Sequence, residues 1–276
     1  MHIAEHDHSA VPMLDHVTPV ILTFNEAPNI KRTLTSLDWA KRIVVVDSGS
    51  TDSTLAILAE DPRINVFSRK FDTHGQQWTY ALNKTDITTD WVLRLDADYR
   101  VTRELREEIA QLNPDTPFNA YRIGFDYLIY GRRLRASLYP SKAVLFRRAQ
   151  ATAIDRGHTE VWIVKGKVGE LRGRIWHDDR KSVADWIISQ GRYATREFSL
   201  LAGNETRSLS LKLRNRPPLM PLLSFLYCLF LKGLIFNGRA GLFYSLQRLL
   251  VETALALMVL EDRLKSRNDS SPTAEE

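Results

Sequence analysis

The sequence predicts an α/β domain built on a mostly parallel sheet, followed by an apolar helical region, and three observations predict it. Four apolar runs, VTPVILTF, RIVVV, INVF and WVLRL, alternate with helix-like patterns over the first hundred residues, the order in which strands and crossover helices build a parallel sheet. Acids stand where those runs stop, Asp47 after the second and Asp96 with Asp98 after the fourth. Strand carboxyl ends are where open α/β sheets bind ligands. From Pro217 the chain turns apolar, reading PPLMPLLSFLYCLFLKGLIF and later AGLFYSLQRLLVETALALMVLE.

Val17 to Phe24 is the first strand; Asn25 and Glu26 follow, and Pro28 opens a helix carrying Ile30, Leu34 and Leu37. Ile43 to Val46 is the unbroken apolar run of a strand buried on both faces, and Gly49 permits a tight turn into a helix that Ser50 or Asp52 caps. Ile64 to Phe67 forms a third strand and Gln77 to Leu82 a short helix before the fourth strand, Trp91 to Leu95. Asp96 and Asp98 then share one side of an extended segment, and Thr102 caps a helix bearing Leu105, Ile109 and Leu112. Two carboxylates at a strand end suit Mg²⁺ or Mn²⁺, hard cations that take their remaining ligands from water and diphosphate oxygens. With Asp47 placed for a base or ribose, a nucleotide-diphosphate site is the economical reading; as a turn cap, Asp47 would serve the fold alone.

Three motifs in this order, TFNE at 23–26, VVVDSGSTD at 44–52 and LRLDAD at 93–98, resemble the nucleotide-sugar-binding half of glycosyltransferase family 2, inverting transferases of the A-type fold. The resemblance implies that Thr23, Asn25 and Glu26 line the base pocket, that Asp47 contacts the base, that Asp96 contacts ribose or metal, and that Asp98 coordinates Mg²⁺ or Mn²⁺. Many relatives of the lipopolysaccharide-core branch continue with an acid where this chain has Tyr99. The later stretch IDRGHTEVWIVKGKVGELRGRIWHDDR resembles the family's region that closes over the donor. It implies Glu160 as catalytic base with Asp178 as the alternative, and His177 as a further metal or diphosphate contact; His158 fits a structural or a catalytic role.

The implied reaction moves a sugar from a nucleotide-diphosphate donor to a hydroxyl of a glycan or lipid-linked acceptor in cell-envelope polysaccharide or lipopolysaccharide synthesis. Two alternatives stay open: a sugar-phosphate nucleotidyltransferase, whose glycine-rich basic N-terminal loop has no counterpart here, and a membrane-associated scaffold that binds nucleotide without transfer. Between the motifs, Tyr121, Phe125, Tyr127 and Tyr130 form either an acceptor-side wall or plain hairpin packing.

Composition narrows the partners. A net charge of +5, without zinc-knuckle or RNP-like motifs, gives no support to nucleic acid. A single cysteine, Cys228, rules out a disulfide framework. Pro221, Lys232 and Gly233 make the first apolar run a poor membrane span, and a polar stripe of Gln247, Arg248 and Glu252 suits the second to the headgroup region or to packing on another helix. Arg207, Lys212, Arg214 and Arg216 would favour an anionic leaflet. The expected organisation is a disordered leader at 1–14, a catalytic domain at 15–205, an interfacial helical region at 206–265 and a disordered tail at 266–276. The expected location is the cytoplasmic face of the cell membrane, with an apolar surface compatible with a homodimer.

Overall fold

The computed structural model describes residues 12–156, 159–202 and 219–269. His158 and the basic approach from Arg207 to Arg216 therefore lie outside the described residues. The first strands and helices run β1 (Val17–Thr23), α1 (Ile30–Thr35), β2 (Ile43–Asp47), α2 (Thr54–Ala59), β3 (Ile64–Ser68), α3 (His74–Asn83) and β4 (Trp91–Asp96). There follow β5 (Tyr99–Val101), α4 (Arg103–Ala110), β6 (Phe118–Ile129), β7 (Arg132–Arg133), β8 (Lys142–Arg147), β9 (Ala151–Arg156), β10 (Thr159–Val164) and β11 (Lys167–His177). Three helices, α5 (Val183–Ala202), α6 (Leu219–Leu226) and α7 (Gly238–Asp269), come last.

The main sheet has the order β3-β2-β1-β4-β8-β6-β11-β5. Its β3-β2-β1-β4 half is parallel, as the βα alternation requires. The parallel character ends there: β8 pairs antiparallel with β4 and with β6, and β5 pairs antiparallel with β11. The sheet is mixed because the runs after α4 are joined without crossover helices. Val20, Val44, Val46, Val92 and Phe146 pack under Trp78, Ala81 and Leu82 of α3. Arg94, the one charge inside the β4 run, is buried; its Nε donates to the Ala143 carbonyl at 2.8 Å, and its guanidinium lies near the Trp78 and Trp162 rings.

Three local expectations are revised. Helix α3 starts at His74 because the Thr73 hydroxyl accepts from the Gln76 N–H at 3.2 Å, a cap the apolar pattern alone does not reveal. Asp96 and Asp98 do not share an extended segment: Ala97 and Asp98 form a turn between β4 and β5, fixed by the Thr33 hydroxyl donating to the Ala97 carbonyl at 2.6 Å. Helix α4 ends at Ala110, so Leu112 lies beyond it.

Gly173 of β11 lies against α4, where Glu108 accepts from the Arg172 and Gly173 N–H groups at 3.0 and 2.7 Å. A Cβ at Gly173 would meet the Leu105 Cα at 2.4 Å. Because the obstacle is backbone, Gly173→Ala is expected to destabilise the protein by about 1–3 kcal/mol, read as a lowered urea midpoint. An unchanged midpoint would contradict this packing.

The chain divides into two compact units. The first comprises residues up to Phe125, Pro140–Ile154 and Val161–His177. The second draws on Asp126–Tyr139, Asp155–Glu160 and residues from Asp178 onward, and so begins within the stretch 15–205. In the second unit, Ile129, Leu134, Cys228, Leu234, Ala240 and Tyr244 form one core cluster. The Tyr244 hydroxyl there accepts from the Leu138 N–H at 3.0 Å.

Candidate active site

In the first unit the parallel register aligns the strand ends. Thr23 stands opposite Asp47, and Leu22 opposite Asp96. Asp47 and Asp96 therefore finish at one sheet edge, separated by two strand spacings, or roughly 10 Å.

The β1–α1 and β2–α2 loops are laced together above this edge. Asn25, in the left-handed region at φ 52°, donates its N–H to Ser50 Oγ at 2.9 Å and accepts from the Thr51 N–H at 2.8 Å. The Glu26 N–H donates to Thr54 Oγ1 at 2.8 Å, and the Glu26 carboxylate accepts from the Asn29 amide at 2.8 Å. Asp52 accepts from the backbones of Ala27 and Thr54. Burial works to raise the Asp52 carboxyl, but the bonds from the Thr54 hydroxyl and the two backbones outweigh it and hold the group below the usual range. The N-cap of α2 is Ser53, which makes no side-chain cap bond, so neither expected cap stands at that position; Asp52 fastens the preceding turn through the Thr54 N–H, and Ser50 serves the lacing.

Asp47 is buried. Its carboxylate accepts from Thr23 Oγ1 at 3.0 Å, from the N–H groups of Gly49 and Ser50 at 2.8 Å each, and from Ser50 Oγ at 2.5 Å. Gly49, at φ +91°, supplies the backbone turn that brings those N–H groups round. The carboxylate thus fastens the turn from within.

Asp98 meets His177. The β5–β11 register sets His177 opposite Tyr99, and His177 Nε2 lies 2.8 Å from Asp98 Oδ2, joining residues 79 apart in sequence. Tyr99 is buried between Phe125 and the edge of the His177 ring, at centroid distances of 5.0 and 5.3 Å. It positions the imidazole from below. Tyr121 and Phe125 are core residues as well: both are buried, and Tyr121 stacks on Trp91.

The turn brings Asp98 together with His177, an acid and an imidazole of the kind that hard divalent cations accept as ligands beside water and phosphate oxygens. Among the described residues no group of three His, Cys, Asp or Glu side chains is placed to hold a metal ion by itself.

Glu160 and Asp178 belong to the second unit. Glu160 is half-buried on β10. Asp178 is fully buried; Arg180 donates to it through Nε at 2.9 Å and through a terminal nitrogen at 2.8 Å, and the Gly131 N–H donates at 3.1 Å. The carboxylate beside Arg180 holds that guanidinium above its ordinary range. Sequence reasoning did not single out the lacing residues Thr51 and Thr54 or the positioning role of Tyr99. Only the Ser/Thr density of DSGSTDST signalled the lacing.

A mixed α/β sheet with laced loops and an Asp-x-Asp turn at the carboxyl edge of its parallel half defines an A-type glycosyltransferase fold. The chain belongs to glycosyl transferase family 2, whose model matches residues 18–158, just over half of its length. It is 36% identical over 112 residues to an uncharacterized glycosyltransferase of Rickettsia bellii, covering 39% of this chain and 37% of that protein. The chain thus spans little more than a third of that relative. It is 27% identical over 236 residues to the lipopolysaccharide core biosynthesis glycosyltransferase LpsC of Rhizobium meliloti, covering 80% of this chain and 83% of the relative. Among solved structures, TarS 1-349 of S. aureus with UDP-GlcNAc is similar, at 15% identity and a TM-score of 0.49, over 90% of this chain and 92% of that one.

Proposed function

We propose that this chain transfers a sugar from a nucleotide-diphosphate donor to a hydroxyl of a glycan or lipid-linked acceptor of the cell envelope, inverting the anomeric carbon. The observation that carries the reading is the Asp98–His177 pair at the Asp-x-Asp turn of a family 2 chain. Thr23, Asn25, Glu26 and Asp47 form the base and ribose end. Asp47 acts mainly by shaping the turn, since its oxygens already accept four bonds. Asp96, Asp98 and His177 would hold Mg²⁺ or Mn²⁺ at the diphosphate end. When bound, the cation supplies Lewis acidity that stabilises charge on the departing diphosphate. Glu160 takes the proton of the acceptor hydroxyl as its oxygen bonds to the anomeric carbon, while the bond to the nucleoside diphosphate breaks on the opposite face. Asp178 is set aside as base because Arg180 and Gly131 already occupy its oxygens. The LpsC likeness favours a lipopolysaccharide-core acceptor. Supplying the protein with labelled nucleotide sugars, Mn²⁺ and envelope glycolipid tests this: label should pass from one donor into the glycolipid. Pyrophosphate release from a nucleoside triphosphate and a sugar phosphate would instead favour the nucleotidyltransferase.

The exposed apolar face of the C-terminal helices supports placing the protein at a membrane surface. The segment Leu234–Ser266 is long and apolar enough to cross a membrane by length and composition, and 33% of its apolar window is buried. The polar stripe of α7 faces inward: Ser245 and Glu252 are buried, and Arg248 pairs with Glu252 at 3.8 Å. Leu242, Leu246, Leu250 and Leu257 are exposed, and Leu231 and Phe236 reach 76% exposure at the α6–α7 connection. A helix with polar groups inside and leucines outside suits an apolar surrounding. The protein should co-sediment with phosphatidylglycerol vesicles, and the double variant Leu231→Glu, Phe236→Glu should bind about tenfold more weakly. Wild-type protein left in the supernatant would contradict the placement.

A further inference from the structure

Within the second unit the β6–β7 hairpin, which the reaction above does not use, stands beside the connection between α6 and α7. Ile129 and Leu134 from the hairpin share one core cluster with Cys228, Leu234 and Ala240. The Asn237 side chain closes the joint: its Oδ1 accepts from the Arg135 N–H at 3.1 Å, and its amide donates to the Arg133 carbonyl at 3.2 Å. Hairpin and connection therefore present one surface.

That surface is apolar at its tip and cationic around it. Phe230, Leu231, Ile235 and Phe236 are all exposed, a contiguous apolar patch of the kind that marks an interaction site. Residues 126–139 and 219–240 carry five basic side chains, Arg132, Arg133, Arg135, Lys232 and Arg239, against one acid, Asp126. Asp126 is buried and accepts from Arg133 at 2.8 Å. Among the described residues the other four cations make no ion pair with a carboxylate. Two of them lie against the tip itself: the Arg135 guanidinium is 5.3 Å from the centre of the Phe236 ring, and the Lys232 ammonium 5.5 Å from that of Tyr227. A long cationic side chain laid along an aromatic ring reaches the phosphate level while the ring sits at the acyl boundary.

We propose that this surface docks on anionic phospholipid, with Leu231 and Phe236 entering the acyl boundary and Arg132, Arg135, Lys232 and Arg239 meeting the headgroup phosphates. The inference rests on the membrane placement above and adds two things to it: the β6–β7 hairpin as a second contacting element, and the lipid charge that it selects. Charge decides between occupants. In a symmetric pair of chains each tip would meet its own copy, setting two groups of unpaired cations face to face. Anionic headgroups neutralise those cations instead, and each basic side chain at such a surface strengthens binding about fivefold.

Flotation of the full chain with vesicles of phosphatidylcholine alone, and of phosphatidylcholine mixed with phosphatidylglycerol, tests the inference. The wild type should bind the mixed vesicles at least about tenfold more tightly, and raised salt should remove that preference. The double variant Arg132→Gln, Arg135→Gln should lose about twentyfold on the mixed vesicles and keep its affinity for pure phosphatidylcholine. The basic run from Arg207 to Arg216 is unchanged in this variant, so a full preference that persists would belong there and overturn the inference. Equal binding of the wild type to both vesicles would overturn it as well while leaving the membrane placement standing; a wild type that floats with neither would remove both. A dimer in lipid-free solution that Phe236→Glu dissociates would give the tip to a second copy and equally overturn it.

Discussion

Asp98→Ala is expected to lower the rate of sugar transfer by about a thousandfold, roughly 4 kcal/mol of transition-state stabilisation, because the residue would hold the cation that meets the leaving diphosphate. The same substitution takes from the mostly buried His177 its Asp98 partner at 2.8 Å, so a stability loss of about 1–3 kcal/mol should accompany the lost turnover. The turn itself is held by Thr33 on the Ala97 carbonyl and by buried Tyr99. The loss should appear in donor binding as well as in turnover, and excess Mn²⁺ should recover part of it. A folded Asp98→Ala protein with wild-type turnover would remove the metal role.

Glu160→Gln should reduce turnover by about 10²–10⁴-fold, the range typical of a lost general base, while donor affinity stays near its original value. The glutamine keeps the shape of the side chain and loses only its ability to take a proton. Asp178→Asn separates the two candidate bases by a different readout. An amide cannot accept from Arg180, Gly131 and their bonded neighbours as a carboxylate does, so this variant should lose about 1–3 kcal/mol of stability. Unchanged turnover in Glu160→Gln would remove it as base. A fully stable Asp178→Asn protein with abolished turnover would transfer the role to Asp178.

The parallel half of the sheet was legible because its strands are continuous apolar runs that stop at turn residues, and the period of such runs survives without knowledge of partners. The antiparallel half was less so. YRIGFDYLIYGRRL reads as a hairpin, but nothing local says that β8 inserts between β4 and β6, or that β5 exists at all, since Tyr99 to Val101 form a strand only by pairing with β11. The same long-range pairing brings His177 to Asp98, a contact that spacing alone could not supply. Asp47 shows the opposite case. Its sequence position suited ligand and turn alike, and only the four donors around its carboxylate reveal how fully the turn engages it. On α7 the polar stripe was visible in sequence, but its direction was not: amphipathicity gives a helix two faces and does not say which one meets protein.

The most direct test is calorimetric titration of the purified protein with a panel of nucleoside diphosphates and nucleotide sugars, with and without Mn²⁺, beside Asp98→Ala. Metal-dependent binding of one nucleotide class that the variant loses is the predicted result. A well-folded wild-type protein that binds none of them would contradict the donor site at the Asp-x-Asp turn.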